Sequence, residues 1–207
     1  MARHSRPEEK NVFLNVPFDV GYERPLIALI AALSSLGLIP HCVLELPELG
    51  SGRLRRLFQH LENCRISIHD LSRAGVPVRF NMPFELGIAC ALAEYRKLHS
   101  YFVMEKVPYR LDRTLSDLKG RDPIVHYNNP KRIIAGVLGM LRSKSQNPAP
   151  QEVYGNYKKL LTIAEKLKRD YGERTIFNRA IFIDLVNAGT ELVKVSEPAT
   201  KQIPEFK

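Results

Sequence analysis

The sequence has few cysteines and no long hydrophobic run. No apolar stretch approaches the roughly 18 residues that a membrane-spanning helix needs, so we expect no transmembrane segment and no membrane partner. Residues 1–10 are charged and lack the apolar centre of a secretory signal peptide. The three cysteines, Cys42, Cys64 and Cys90, lie far apart without CxxC spacing, which argues against a disulfide framework and a zinc site. These absences predict a cytoplasmic protein without a bound metal.

Lysine and arginine outnumber aspartate and glutamate, which gives a net charge of +9 at pH 7. The excess is spread along the chain, and its densest clusters, at 53–56 and 166–169, have helical spacing. Such clusters are typical of solvated helix faces, and the alternative is an attraction for phosphate-bearing ligands. No recognised nucleic-acid-binding motif accompanies the charge, so we do not expect nucleic acid as a partner.

Short apolar segments alternate with segments of helical periodicity from residue 12 to residue 142. The apolar runs predict five strands, at 12–16, 39–45, 65–71, 99–105 and 122–127. The helical spacing of apolar residues predicts helices at 26–36, 53–61, 81–97 and 130–142. Strict alternation of this kind indicates an α/β fold with a parallel sheet covered by helices on both faces. Five such units favour the flavodoxin-like strand order 2-1-3-4-5.

The remaining segments predict a helical appendage to this domain. We expect residues 1–10 to be disordered, residues 11–143 to form the α/β domain, and the polar, proline-containing residues 144–152 to be a linker. Amphipathic patterns at about 153–171 and 174–195 predict a helical hairpin over 153–195, which packs on the domain, on itself or on a partner. That partner is another protein or a second copy of the chain. Residues 196–207 contain two prolines and are expected to be a flexible tail.

Polar residues follow successive strands of the predicted sheet. In an open parallel sheet, ligands bind beyond the carboxyl ends of the strands, so the fold gathers these residues around one crevice. The candidates for substrate binding are Asn15, Phe18, Asp19, Tyr22, Glu45, Ser51, Gly52, Arg53, Ser72, Arg73, Arg79 and Asn81. Alternatives stay open at three places: Asp19 as a helix cap, Glu45 as a strand-edge carboxylate, and residues 50–52 as a plain turn.

The segment NMPFELG, residues 81–87, predicts the start of a helix with a carboxylate near its N-terminus. Asn81 suits the N-cap position and Pro83 suits the first turn. Glu85 falls in that first turn, where the helix dipole favours an ionised carboxylate, and its helical face points toward the sheet. Gly87 leaves room for a ligand or a strand. Glu85 is therefore a candidate catalytic residue, and the alternative is a helix residue that only satisfies the dipole.

The predicted third strand ends in Asp70, the second candidate catalytic residue, whose carboxylate can hold a ribose hydroxyl or orient a base. His69 alternates with Asp70 along the strand, and we expect a packed structural histidine rather than a catalytic one. Tyr22 either stacks on a base or covers the core. Phosphate would be held by guanidinium groups, whose donors match its oxygens in pairs; the candidates are Arg53, Arg73 and Arg79.

Residues 84–92, FELGIACAL, resemble the E-L-G-x-A segment of the nucleoside 2-deoxyribosyltransferase superfamily, which includes nucleotide N-hydrolases. This resemblance implies that Glu85 acts at the anomeric carbon of a nucleotide and that Asp70 belongs to the same pocket. The segments 12–19, 42–45, 64–73 and 79–87 are also similar to bacterial TIR-like proteins. That similarity, over about residues 11–143, implies a flavodoxin-like fold, cleavage of the nicotinamide–ribose bond of NAD by a glutamate, and a role in antiphage defence or signalling.

Two hypotheses about function follow. The first is a hydrolase or transferase that cleaves an N-glycosidic bond of a nucleotide, with NAD the favoured substrate and no further cofactor. Cleavage develops positive charge at the anomeric carbon, which the Glu85 carboxylate stabilises or attacks, while Asp70 or Asp19 fixes the sugar or assists the leaving base. The second is a catalytically inactive TIR-like nucleotide-binding sensor or scaffold that acts through its C-terminal helices.

Overall fold

The fold is built on one parallel sheet. The structure, a computed structural model, describes residues 7–46, 52–73, 80–118, 120, 122–141 and 148–196. The strands in these ranges are β1 (Glu8–Asn15), β2 (Ile39–Cys42), β3 (Cys64–Asp70), β4 (Ser100–Glu105) and β5 (Ile124–Val125). They pair in parallel in the order β2-β1-β3-β4-β5, which confirms the predicted flavodoxin-like α/β arrangement.

Helices cover both faces of the sheet. The described helices are α1 (Glu23–Ser35), α2 (Arg53–Asn63), α3 (Asn81–Arg96), α4 (Leu111–Thr114), α5 (Pro130–Met140), α6 (Pro150–Asp170) and α7 (Arg179–Ser196). Short 3₁₀ segments lie at Val20–Tyr22, Val43–Glu45 and Ser116–Leu118. None of the described helices is both long enough and apolar enough to cross a membrane.

Several element boundaries differ from the prediction for local reasons. β1 begins at Glu8, inside the segment expected to be disordered, because Glu8 pairs with Cys64 of β3. β2 ends at Cys42 rather than at Glu45, since the Glu45 carboxylate accepts the Cys42 backbone N–H at 2.9 Å and residues 43–45 form a 3₁₀ turn. α6 begins at Pro150, within the predicted linker, where proline suits a first helical position that needs no N–H.

The two faces of the sheet hold different cores. Side chains alternate along each strand, so Val12, Leu14 and Ile68 lie on the face covered by α1 and α5, here called the α1 face. Phe13 packs with Ala89 on the opposite face, covered by α2 and α3 and here called the α3 face. This alternation decides which face each strand-end side chain occupies.

α1 is buried on all sides. Its residues from Pro25 to Ser34 are all buried, and the helix packs against α5, α6 and α7 as well as the sheet. A helix that is apolar all round is stable only when every face is covered. The sequence ERPLIALIAALSS therefore requires a further layer outside α1, and the C-terminal helices supply it.

α6 and α7 belong to the same hydrophobic core as the α/β unit. Tyr157 and Leu160 of α6 and Phe182 and Leu185 of α7 are buried in one cluster with Leu26 of α1. Of the three placements considered for these helices, the structure shows packing on the domain and on each other. The expected helical appendage is thus a fourth layer that encloses α1.

A pair of glycine substitutions tests this close packing. A Cβ atom at Gly189 of α7 would lie 2.6 Å from Ser34 Oγ and 3.3 Å from Ile30 Cγ2, whereas a Cβ at Gly155 of α6 meets no atom within 4 Å. We expect Gly155→Ala to stabilise the protein by about 0.5–1 kcal/mol through helix propensity. The free energy of unfolding of Gly189→Ala should be about 1–3 kcal/mol lower than that of Gly155→Ala because of overpacking. Urea unfolding measures both values. Equal effects of the two substitutions would contradict the tight α1–α7 contact.

Candidate active site at the carboxyl ends of the strands

Asp70 joins three strand ends at the carboxyl edge of the sheet. It is the last residue of β3, it is fully buried, and its side chain lies on the α1 face. Its Oδ1 accepts the Ser72 backbone N–H at 2.8 Å, and its Oδ2 accepts the Tyr22 hydroxyl proton and lies 3.0 Å from His126 Nε2. The partners come from the loops that follow β1, β3 and β5, so one carboxylate ties these loops together.

His126 has a fixed tautomer in this cluster. The backbone N–H of Asn128 can only donate, and it lies 3.0 Å from His126 Nδ1, so this nitrogen must accept. The ring proton therefore lies on Nε2, which faces both Asp70 Oδ2 and Ser72 Oγ, the latter at 2.9 Å. The three residues are not a Ser-His-Asp triad, because the nitrogen next to Ser72 carries a proton and cannot remove another.

Tyr22 is buried beneath the edge rather than presented to a ligand. Only 4% of it is exposed, and its ring belongs to the core on the α1 face. Burial and, secondarily, the neighbouring Asp70 charge raise the pKa of Tyr22 well above its ordinary value, so it remains a hydrogen-bond donor. Of the two roles considered for Tyr22, this geometry fits core cover and leaves no ring face for stacking.

The other predicted residues at the end of β1 and in the loop after it each contact a different part of the protein. Asn15 is buried on the α3 face, where its Nδ2 donates to the Met82 carbonyl of α3 at 3.0 Å. Phe18 packs edge-to-face on Phe177, which precedes α7, with ring centroids 5.7 Å apart. Asp19 forms an ion pair with Arg73, both partly exposed, so part of the charge that Arg73 could offer to a phosphate is already neutralised.

Of the predicted residues after β2, the structure describes Glu45, Gly52 and the backbone of Arg53. The Glu45 carboxylate caps its own 3₁₀ turn and lies 3.1 Å from His41 Nδ1. Gly52 precedes α2 with a φ of 107°, a left-handed conformation that favours glycine. Arg53 is the first residue of α2. The Arg53 side chain, Ser51 and Arg79 lie outside the described residues.

Glu85 lies on α3, one residue beyond its first turn. Phe80 is the N-cap and Asn81, which is exposed, is the first helical residue, so the expectation that Asn81 caps the helix and Glu85 falls in its first turn is wrong. Glu85 is half-buried. Gly87 is exposed, and a Cβ atom added there would meet no atom within 4 Å, so this glycine is not required by a close approach to a strand. The favourable effect of the helix dipole on the Glu85 carboxylate is weaker there than in the first turn.

Asp70 and α3, the helix that carries Glu85, lie on opposite faces of the sheet. Asp70 contacts Tyr22 on the α1 face, whereas α3 packs Met82 and Leu86 on the α3 face. A ligand that touches both carboxylates must therefore lie across the carboxyl edge rather than within either layer. This is the position of ligands in open parallel sheets.

Three residues of this edge were not predicted from the sequence. His126 follows β5, and Arg110, in the loop after β4, donates from Nη1 to the Ser72 carbonyl at 2.8 Å. Glu105 ends β4 and is 1% exposed; its Oε2 accepts the Leu111 N–H at 3.0 Å, while Oε1 has no hydrogen-bond partner among the described residues. Burial raises the pKa of Glu105. The rule that ligands bind beyond the carboxyl ends of parallel strands, here called the strand-end rule, selects all three once it is applied to β4 and β5 as well.

Comparison of the chain with protein-family models, with curated proteins and with solved structures found no match. The fold and the edge define the class of the protein: a flavodoxin-like α/β protein with a buried, hydrogen-bonded polar cluster at the carboxyl ends of its strands.

Proposed function

We propose that this protein cleaves the N-glycosidic bond of a nucleotide, with NAD the first substrate to test. One observation carries the proposal: buried polar side chains from four strand ends converge at the carboxyl edge, next to the helix that bears a half-buried glutamate. Open parallel sheets bind their ligands at this edge. The resemblance of residues 84–92 to nucleotide-cleaving proteins supports the choice of Glu85.

The reaction needs a carboxylate below the anomeric carbon. As the glycosidic C–N bond breaks, the base leaves with the bonding electron pair and positive charge develops on the sugar. Glu85 either stabilises this charge or forms a C–O bond that water or a second base later displaces. Water gives hydrolysis and a second base gives transfer, so one arrangement serves both reactions.

Two exposed tyrosines are suited to contact the base. Tyr109 and Tyr127 lie on the loops after β4 and β5, and both have positive φ, at 62° and 50°. This strained conformation is rare for bulky residues and clusters at ligand-binding sites. Arg132 covers one face of the Tyr127 ring at 4.6 Å from its centroid. Because neighbouring strands are about 4.8 Å apart, the distance from β3 to β5 is roughly 10 Å, the length of a nucleoside.

Tyr127→Leu is expected to weaken NAD binding by about 5- to 150-fold, since stacking on an aromatic ring contributes about 1–3 kcal/mol per base. Isothermal titration calorimetry gives the affinity. Tyr95→Leu is the matched control, because Tyr95 is 86% exposed and lies near the C-terminal end of α3, whereas Glu85 lies near the N-terminal end. Equal affinities of the two variants would remove the Tyr127 contact from the proposal.

A nucleotide-binding sensor without turnover is the second candidate. It is favoured by the direct contact between Phe18, in the loop after β1, and Phe177, next to α7. It is also favoured by Asp70, whose oxygens already accept from three donors of the chain itself and are poorly placed to act on a substrate. A ligand at the edge could then act on α7 through Phe18.

One assay separates the two candidates. The purified protein is incubated with NAD and with a panel of nucleotides and deoxynucleotides, and free base is measured by chromatography. Base release supports the enzyme. Binding of a nucleotide that is recovered intact supports the sensor. If the protein neither binds a nucleotide nor releases a base, both candidates are contradicted.

A further inference from the structure

A continuous chain of hydrogen bonds runs along the α3 face of β3. It links the Met82 carbonyl to Asn15 Nδ2 at 3.0 Å, and Asn15 Nδ2 to His69 Nδ1 at 3.0 Å. His69 Nε2 lies 2.8 Å from Ser67 Oγ, which lies 2.8 Å from His99 Nε2. His99 Nδ1 ends the chain 2.9 Å from the Cys64 carbonyl. All four side chains are at most 9% exposed.

The two ends of the chain determine every donor and acceptor between them. A carbonyl oxygen can only accept, so His99 Nδ1 carries its ring proton and His99 Nε2 must accept from the Ser67 hydroxyl. Ser67 Oγ in turn accepts from His69 Nε2–H. His69 Nδ1 is left to accept from Asn15, whose other N–H donates to Met82.

Both imidazoles are neutral in this arrangement. Burial lowers the pKa of His69 to about 3 and also lowers the pKa of His99. The chain ends on two backbone carbonyls, those of Met82 and Cys64, neither of which titrates, so it cannot carry protons from one edge of the sheet to the other. A fixed chain of this kind can only hold groups in position.

The group that it holds is the start of α3. Met82 is the second residue of that helix, and its carbonyl also accepts the Leu86 N–H in the helical pattern. Asn15 therefore fastens the first turn of α3 to the carboxyl end of β1, three residues before Glu85. Apolar side chains at positions 67 and 69 would fill the same space without the cost of burying polar groups.

We propose that His69, Ser67 and His99 are positioning residues that act through Asn15 to fix α3 and hence the Glu85 carboxylate. The catalytic part of this inference rests on the proposed function. The geometric part, that the chain fixes the start of α3, does not.

The geometric part is tested first, on the full chain. Nitrogen-15 NMR at pH 7 should find both rings neutral, with His69 protonated at Nε2 and His99 at Nδ1. Asn15→Asp keeps the size of the side chain but removes both N–H donors. We expect amide hydrogen exchange at residues 85–88 to accelerate by at least about tenfold, with exchange in α1 unchanged. Asn187→Asp, an exposed change of the same charge on α7, is the control.

The catalytic part is tested by a pair of variants at one position. His69→Gln retains one acceptor and one donor, whereas His69→Leu retains neither. Base release from NAD should fall on the order of 100-fold in kcat, with KM unchanged, for His69→Leu and Asn15→Asp, and should be largely restored in His69→Gln.

The outcomes that overturn the inference are distinct from those that overturn the proposed function. Each of three results would overturn the inference. The first is the opposite pair of tautomers, the second is unchanged hydrogen exchange at residues 85–88 in Asn15→Asp, and the third is an equal loss of kcat in His69→Gln and His69→Leu. If base release is independent of Glu85 while tautomers and exchange agree with expectation, the proposed function fails and the chain remains a device that fixes α3.

Discussion

Glu85→Gln is expected to slow base release from NAD by at least about 100-fold while NAD binding persists. The amide keeps the shape of the side chain but loses the negative charge that stabilises the developing cation, and loss of one such electrostatic contact typically costs a factor of about 100 to 1,000 in kcat. Chromatography of nicotinamide against time gives the rate. Glu94→Gln is the matched control, because Glu94 is an exposed residue of the same helix.

The comparison of these two variants decides the role of Glu85. A loss confined to Glu85→Gln supports the carboxylate as the group below the anomeric carbon. Equal rates in wild type and Glu85→Gln would remove Glu85 from the reaction, and equal losses in both variants would indicate a general effect on α3.

Asp70→Asn is expected to lower the free energy of unfolding by about 2–4 kcal/mol, the second large effect. Tyr22, His126 and the Ser72 N–H all donate to Asp70, and an amide offers one acceptor oxygen in place of two. At least one buried donor is then left unpaired. Urea unfolding at pH 7 measures the difference.

A surface pair provides the control for Asp70. The Tyr171 hydroxyl donates to Asp184 at 2.8 Å, the same chemistry as Tyr22 and Asp70 but exposed to solvent. Asp184→Asn should leave the stability nearly unchanged, because water replaces the lost acceptor. Similar losses in the two variants would mean that Asp70 does not hold the strand ends together.

The sheet order could be predicted because each strand and helix has its own local signal. The runs VFLN and ISIHD have the length and apolar content of buried strands, and α1 has an apolar residue at almost every position. Parallel connection through helices then leaves few topologies. The start of α6 at Pro150 was missed because proline suits both a linker and a first helical turn.

The site could be predicted only as a set of residues, without its pairings. The strand-end rule selected Asp70, Tyr22 and Asn15, but the contact between Asp70 and His126 joins residues 56 positions apart and has no local signal. Burial of Tyr22 depends on how α1 packs, which a single sequence does not specify. The tautomer of His126 follows from one backbone N–H in the loop after β5, a contact that has no signal in the sequence.

The most direct test of the proposed reaction is a crystal structure of Glu85→Gln grown with NAD. The nucleotide is expected across the carboxyl edge of the sheet, with the anomeric carbon of the nicotinamide ribose about 3–4 Å from the side chain at position 85. Its base should lie toward Tyr127. NAD bound elsewhere on the protein, or bound at this edge with that carbon out of reach of position 85, would contradict cleavage by Glu85.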